Sequence, residues 1–294
     1  MYRYFLTVSA LALIAGTPAL AGGDFDVSEP LGAPAVSAPN GKISAFGGGD
    51  DEGGLIYGEG SFSMPVARAF GLQVDGLVGH VGTVDDTLAQ GAAHLFWRDP
   101  SKGLLGLYGS ALTVDSSDMY RIAGEGQLYL NRISLEGMIG WDEADDNSDI
   151  YWSGTIGFYA SENTRIFGGA RHSEWRDGTI QGTGTVGFVG LEHQMNWGDD
   201  RRGYSLFGEA RFGEDDYRAV WGGLRVYFGQ NKSLKRRHRE DDPFTVIPDL
   251  VEIVTQAVPV VAPTPTPPTP MAPPPPPAAT PPPTTSAPPP PRPK

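Results

Sequence analysis

Charged residues recur at every second position along several stretches that alternate polar and apolar side chains. In a β-strand this spacing puts the charges on one face and the apolar groups on the other. Carboxylates and guanidinium groups gathered on one face either join in ion pairs or present a field to a passing charged solute. These candidate residues are Glu59, Asp75, Glu125, Glu136 and Glu209, together with Arg121, Arg165, Arg171, Arg211 and Arg225.

Two further motifs, one rich in glycine and one rich in acidic residues, are weaker candidates for a binding site. Residues 182–187 read GTGTVG, which matches a dinucleotide-binding pattern, but the motif opens a predicted strand and no helix follows it. We interpret it as a glycine-rich strand. Residues 145–149 begin like a calcium loop, yet Ile150 and Ile156 stand where such a loop needs Gly and Glu. Weak cation binding by an acidic loop is the softer hypothesis that remains.

A possible hydrolase site is confined to His172, Ser173 and Glu174. Adjacent strand residues point to opposite faces, so the His and Ser side chains are poorly placed to pair. The chain has no cysteine, and its five histidines lack metal-ligand spacing. The sequence therefore predicts no catalytic residue, metal or cofactor and no enzyme, with a barrel lipid hydrolase using His172 as the remote alternative.

The elements that must position the charged residues are twelve predicted strands. Most approach the roughly 9–11 residues that a tilted strand needs to cross hydrocarbon. Fusion of a weak pair near the start gives ten strands, the main alternative. The predicted strands are 42–49, 53–64, 69–82, 88–98, 103–113, 119–130, 132–141, 150–160, 164–173, 182–195, 203–212 and 217–228.

The start of the chain has the pattern of an export signal. Arg3 precedes an apolar run, and Ala19-Leu20-Ala21 forms a cleavage site. Residues 1–21 are thus a predicted signal peptide, and 22–41 a linker. No apolar run of 18 residues follows, so an exported chain of this kind is either a periplasmic β-protein or a closed membrane barrel.

Alternation alone leaves a soluble sandwich open, because its apolar faces also alternate with polar ones. Three features favour an all-β, closed antiparallel transmembrane barrel over residues 42–229. Trp97, Trp141, Trp152 and Trp221 sit where an aromatic girdle would lie. Glycine is frequent on the apolar face, and the opposite face carries charges that suit a wet lumen.

The connections between predicted strands alternate in charge. Odd connections, such as 49–52, 84–87 and 142–149, are mostly acidic and are expected to face outward. Even connections carry Arg68, Arg98 with Lys102, Arg132, and Arg201 with Arg202, and are expected to face the periplasm. A wrong strand count would scramble this alternation, which supports twelve strands.

The end of the chain changes composition abruptly. Of 27 prolines, 21 lie beyond residue 242, and residues 259–294 form a Pro-rich tail predicted to be disordered. Residues 230–258 hold a charged segment and a short apolar segment, the latter either a helix near Pro248 or a strand. The run Lys232 to Arg239 is expected to be a solvated periplasmic segment. A formal net charge of −13 argues against nucleic-acid binding.

The last predicted strand, YRAVWGGLRVYF, resembles the closing strand of Gram-negative outer-membrane β-barrels of the porin-like type. The following K-S-L-x-R-R-H-R-E-D-D-P stretch is similar to uncharacterised barrel proteins of the same bacteria. The resemblance implies an outer-membrane location, lipid contacts and insertion by the barrel-assembly machinery. It also implies an assembly signal formed by Gly222, Leu224, Val226 and Phe228, although here 66 residues follow that phenylalanine.

Two functions fit these expectations. The first is a porin-like channel for passive diffusion of small hydrophilic solutes through a charged constriction. The second is a structural protein whose barrel anchors a periplasmic tail to peptidoglycan or a partner protein. The inward charges either line an open pore or fill a closed lumen with ion pairs, and the sequence does not choose between them.

Overall fold

The computed structural model describes residues 33–50, 53–81, 86–114, 117–144, 147–177, 180–195, 202–213 and 217–243. They form twelve strands and one short helix. The strands are β1 (Asn40–Asp50), β2 (Gly54–Ala67), β3 (Phe70–Val81), β4 (Asp86–Asp99), β5 (Gly103–Val114), β6 (Ser117–Leu130), β7 (Ile133–Ala144), β8 (Asn147–Ser161), β9 (Thr164–Asp177), β10 (Ile180–Met195), β11 (Arg202–Phe212) and β12 (Arg218–Phe228). The helix is α1 (Leu234–Glu240).

Each strand pairs antiparallel with its sequence neighbours, and β1 pairs with β12 to close the sheet into a barrel. At this seam Gly41 lies opposite Phe228, and Ser44 lies opposite Arg225. Closure gives every strand two partners, so the sheet has no free edge. The predicted twelve-strand barrel is confirmed. The ten-strand alternative is wrong, because β1 and β2 are separate strands.

The barrel is polar inside and apolar outside. In β7, Ile139 and Trp141 are 65% and 63% exposed, whereas Met138, Ser134 and Asp142 on the alternate positions are buried. The same pattern holds in β6, where Ile122 is 70% exposed and Arg121 is 1% exposed. A soluble sandwich buries its apolar face, so that alternative is wrong for this chain.

The tryptophans do not all join an outward girdle. Trp97, Trp141 and Trp152 are exposed on the outside, as predicted. Trp221 is 7% exposed and lies inside, with the guanidinium carbon of Arg211 4.4 Å from its ring centroid. The prediction for Trp221 was wrong, because its position in β12 has the parity of the inward Arg225 and Tyr227.

Both terminal segments fold onto one opening of the barrel. We call this opening, where β1 begins and β12 ends, the terminal mouth. Gly229 has a positive φ of 117° and turns the chain from β12 back toward α1. No helix in the described ranges is long and apolar enough to cross a membrane.

Several predictions fall outside the described residues. They concern the signal peptide, most of the linker, most of the acidic connections, and everything beyond Pro243. The described connections at the terminal mouth include Arg68, Lys102 and Arg132. The segment bounds set by composition therefore stay predictions.

Candidate functional site

The ten predicted charged residues all lie on the inner surface of the barrel. Seven of them are buried, and Glu136, Glu209 and Arg225 are partly buried against the inner cavity. Together with His94, Asp142 and Glu192, they form two groups. One group lies on β3, β4, β6 and β7, and the other lies on β7, β9, β10, β11, β12 and β2.

His94 is the centre of the first group. Its Nε2 lies 3.1 Å from Asp75, and its Nδ1 lies 3.0 Å from Glu125. Asp75 also accepts a hydrogen bond from Gln73, whose own oxygen accepts one from Ser63. This polar chain crosses β2, β3, β4 and β6 on the inner wall. His94 was not among the sequence candidates, although it shares the parity of Gln90 and Arg98 in β4.

Arg121 and Asp142 complete this group. The guanidinium donates from Nε and Nη2 to the two carboxylate oxygens at 2.5 and 2.7 Å. Its carbon lies 3.4 Å from the ring centroid of Tyr151. The sequence placed Asp142 in an outer connection, because the predicted strand ended at residue 141. In the structure β7 continues to Ala144, which turns Asp142 inward.

Arginines dominate the second group, and each has an acid or an aromatic ring beside it. Arg165 donates to Glu136 at 2.7 Å, and Arg225 donates to Glu192 at 3.0 Å. Arg211 donates to Glu209. Arg171 lies 5.0 Å from the ring centroid of Phe188.

Glu192 was missed by the sequence reasoning. The alternation of β10 becomes clear only from its pairing with β9 and β11. With Glu209, it puts acids among the arginines.

The ion pairs run along the wall. Arg225 reaches Glu192 on β10 and, at 4.0 Å, Glu59 on β2, each two strands away from β12. Arg165 on β9 reaches Glu136 on β7, which is also two strands away. In a barrel of twelve strands the opposite wall is six strands away. These pairs therefore leave the barrel axis uncrossed.

A cavity of about 120 Å³ lies on the inner side of the second group. Since a cavity needs a volume of roughly 10–15 Å³ to hold one water, this cavity has room for several waters. Guanidinium groups, carboxylates and aromatic rings line it. Among the lining residues are Arg171, Arg225, Glu59, Phe188, Trp221 and His238.

Helix α1 closes the cavity on the side of the terminal mouth. Ser233 caps the helix through a hydrogen bond from the Arg236 amide, and the last turn is basic. Arg237 is 2% exposed and donates to the side chain of Gln194 and the carbonyl of Gln230. Lys232 donates to Asp241 at 2.7 Å. The prediction that this segment is solvated was wrong, because its charges neutralise one another and its donors reach polar groups at the strand ends.

The N-terminal segment covers the other half of the terminal mouth. Val36 is buried against Phe96 and Leu104. The Ala35 amide donates to the carbonyl of Arg68, and Arg98 donates back to the carbonyl of Ala35. We call residues 35–37 together with residues 230–243 the terminal lid.

His238 carries a defined proton arrangement in this lid. The Tyr227 hydroxyl donates to Glu192 at 2.8 Å, so its oxygen accepts from Nε2 of His238 at 3.1 Å. Nδ1 of His238 then accepts from the Tyr159 hydroxyl, also at 3.1 Å. Burial lowers the pKa of His238 well below its usual range, and the nearby Arg165 lowers it further. The ring is therefore neutral, with its proton on Nε2.

The weaker motifs do not assemble a site. His172 lies on the outer face of β9, where Nδ1 is 3.0 Å from the Thr185 hydroxyl and the ring stacks on Trp152. Residues 182–187 belong to β10, as interpreted from the sequence. In the described ranges no group of three or more potential ligands is placed to hold a metal ion.

No protein-family model matches the chain, and no curated protein matches it either. The chain is similar in structure to outer-membrane porins. The KdgM porin in complex with disordered oligogalacturonate has 13% identity and a TM-score of 0.48, over 64% of this chain and 98% of that one. The NanC porin has 8% identity and a TM-score of 0.48, over 64% and 99%.

A third similar structure is the translocator domain of the autotransporter NalP from Neisseria meningitidis. It has 10% identity and a TM-score of 0.44, over 65% of this chain and 87% of that one. These values assign no family. The fold assignment rests on the strand pairing of this chain.

Proposed function

We propose that the protein is an outer-membrane barrel acting as a porin-like channel for passive diffusion of small hydrophilic solutes. The observation that carries the proposal is the inside-out barrel, whose charged inner wall holds the Arg165–Glu136, Arg225–Glu192 and Arg225–Glu59 pairs between strands only two positions apart. Only helices and closed barrels satisfy their backbone hydrogen bonds in lipid, and this sheet is closed.

The outer surface supports a lipid environment. Large apolar side chains face outward on every strand, among them Ile43, Leu107, Ile122, Ile139, Ile156 and Val220. Such a surface on a soluble monomer would be an aggregation liability. In an outer membrane the same surface faces acyl chains, and the terminal mouth faces the periplasm.

The inner wall supports passage of polar solutes. Charged groups around a cavity set which ions enter it, through their field and their hydrogen bonds. Arg171, Arg211 and Arg225 face the cavity together with Glu59, Glu192 and Glu209. We assign Asp75, Glu125 and Arg121 to holding the wall, since they form buried pairs with His94 and Asp142.

The test is single-channel current in a planar bilayer with a full-length variant, Lys232→Ala with Arg237→Ala, in which the terminal lid is loosened. Steady conductance steps establish the channel. Adding Arg171→Gln to this variant removes one positive charge from the cavity wall and should raise cation preference. The matched control is Lys102→Gln, which removes one positive charge from an exposed turn. A folded barrel that never conducts contradicts the proposal.

The second candidate is a structural anchor for the Pro-rich segment 259–294. The observation that favours it is the terminal lid, which covers the mouth in the structure. Peptidoglycan or a periplasmic protein would be the partner of the tail, through Pro-rich recognition. Outer-membrane lipids and the barrel-assembly machinery are partners under both functions.

A further inference from the structure

Among the described residues, the terminal lid contacts five turns or strand ends around the terminal mouth. Its N-terminal part contacts the β2–β3 turn at Arg68 and the end of β4 at Arg98. Its C-terminal part contacts the start of β7, the β8–β9 turn and the end of β10. Those contacts are Arg239 to the Ile133 carbonyl, Lys235 to Glu162, and Arg237 to Gln194.

The two parts of the lid are clipped together across the mouth. The Ser37 amide donates to the Glu240 carbonyl at 3.1 Å, and the Ser37 hydroxyl donates to Asp241 at 2.5 Å. Lys42 of β1 binds Asp242 at 2.8 Å. The lid therefore closes the mouth as one cover.

The interface between lid and wall is mainly polar. Buried lid residues include Lys232, Arg237, Asp241 and Asp242, and the buried apolar side chains among the described lid residues are Ala35, Val36, Leu234 and Pro243. Interfaces of this polar kind resemble those of transient contacts rather than a permanent core. The wall, by contrast, is held by continuous strand ladders.

One point in the backbone suits a hinge. Gly229 adopts a φ of 117°, and a Cβ there would lie 3.0 Å from the Cβ of Asn40. Glycine is the residue that takes this conformation without strain. Rotation about Gly229 would move α1 away from the mouth and leave β12 paired.

The lid also forms the floor of the cavity. His238, Asp242 and Pro243 line it from the lid side, facing Arg165, Arg225 and Glu192 on the wall. Displacing the lid would therefore join the cavity to the mouth.

We propose that the C-terminal part of the terminal lid, residues 230–243, is a gate that swings on Gly229 and shuts the channel when docked. The proposal rests on the channel function proposed above and deepens it by naming the element that controls passage. A solute crosses only in the undocked state, so conditions that weaken the docking contacts raise the open fraction.

The test uses single-channel recording of the full chain in a planar bilayer. Wild type is expected to be mostly closed. Lys232→Ala with Arg237→Ala should be open more often, on the order of tenfold or more, because hydrogen bonds to charged groups are lost. Arg236→Ala is the matched control. It removes an arginine from the exposed side of α1, where the side chain pairs with Glu240.

A reversible lock gives a second measurement. The Lys235 amide donates to the Glu162 carbonyl at 3.0 Å, and their side chains form an exposed ion pair. Glu162→Cys with Lys235→Cys introduces the chain's only two thiols. The oxidised form should stay closed even in the Lys232→Ala, Arg237→Ala background, and a reductant should restore opening. Glu162→Cys alone controls for the substitution.

If wild type and the loosened variant conduct alike and the disulfide lock has no effect, the gate proposal is overturned. The channel proposal then still stands. If both are folded and silent, the channel proposal fails, and the gate fails with it. Opening that follows lid loosening and disappears on locking supports both proposals.

Discussion

The hydroxyl of Tyr227 donates to the carboxylate of Glu192 at 2.8 Å, and this bond decides which nitrogen of His238 carries the proton. The lid is thereby docked through a neutral imidazole. Acid should weaken docking, since the docked ring resists the second proton. The groups facing it are Tyr159, Tyr227, Glu192, Arg165, Arg225, Lys42 and Asp242.

The first prediction is a pH dependence of the lid. The pKa of His238 is lowered when docked, so docking is fully stable above the ordinary value of about 6.5 and weakens as the pH falls through it. The loss is up to about 1.4 kcal/mol per pH unit. Hydrogen exchange of the Lys235 amide, measured from pH 8 to 5, should show falling protection. His238→Gln should flatten that trend, and an unchanged slope would contradict the role of His238.

The second prediction concerns the buried pair of Arg121 and Asp142. Arg121→Ala leaves a carboxylate buried without its bidentate partner and should cost about 3–5 kcal/mol of stability. The measurement is urea unfolding of the refolded barrel in detergent. Lys102→Ala breaks an exposed pair with Asp99 and should cost less than about 1 kcal/mol. Equal costs for the two variants would refute the structural role of Arg121.

The third prediction tests the lipid-facing surface. Ile139 points outward in the middle of the barrel wall. Ile139→Arg should cost roughly 2–4 kcal/mol in a bilayer, and Thr113→Arg, outward near a strand end, only about 0–1 kcal/mol. Unfolding of both variants from lipid vesicles measures the difference. No dependence on depth would argue against a transmembrane barrel.

The fourth prediction concerns assembly. Phe228 ends β12, and Leu224 shares its outward face. Phe228→Ala should lower the amount of folded barrel in the outer membrane of cells while leaving refolding in detergent nearly unchanged. Val220→Ala, on the same face at the far end of the strand, is the control. Equal yields of the two variants in cells would show that Phe228 is not an assembly signal.

The fifth prediction separates the two functions. Deleting residues 244–294 removes the Pro-rich tail and keeps the described lid. Under the channel function, solute uptake by cells is retained. Under the anchor function, envelope integrity fails while uptake is unchanged, as measured by leakage of a periplasmic marker. A deletion that changes neither would dismiss the anchor function.

Much of the barrel follows from local chemistry. Period-two alternation identifies β6, where the outward Ile122 lies between the inward Arg121 and Glu125. It identifies β7 in the same way, because the outward Ile139 follows the inward Met138. The ten inner charges follow from that same parity. The number of strands follows because the charge of the connections changes sign from one reversal of the chain to the next.

The partners of these charges did not follow from the sequence. Asp142 lies in a strand that continues beyond the end of its apolar alternation. Glu192 lies in a strand whose register is ambiguous until its pairing with the neighbouring strands is known. The lid depends on contacts such as Ser37 with Asp241, which are 204 residues apart. A sequence pattern over a short window cannot report such contacts. The high charge of residues 232–239 therefore led to the prediction that this part of the lid is solvated.

The clip between Ser37 and Asp241 spans the seam of the barrel, the one strand pair whose members lie at opposite ends of the sheet sequence. Contacts at such separation form only after β1 and β12 have met, because their loop-closure entropy is lost at that step. We therefore expect them to contribute little to the rate of barrel closure and to slow its reopening. The lid then gives the closed barrel kinetic persistence at the seam between β1 and β12.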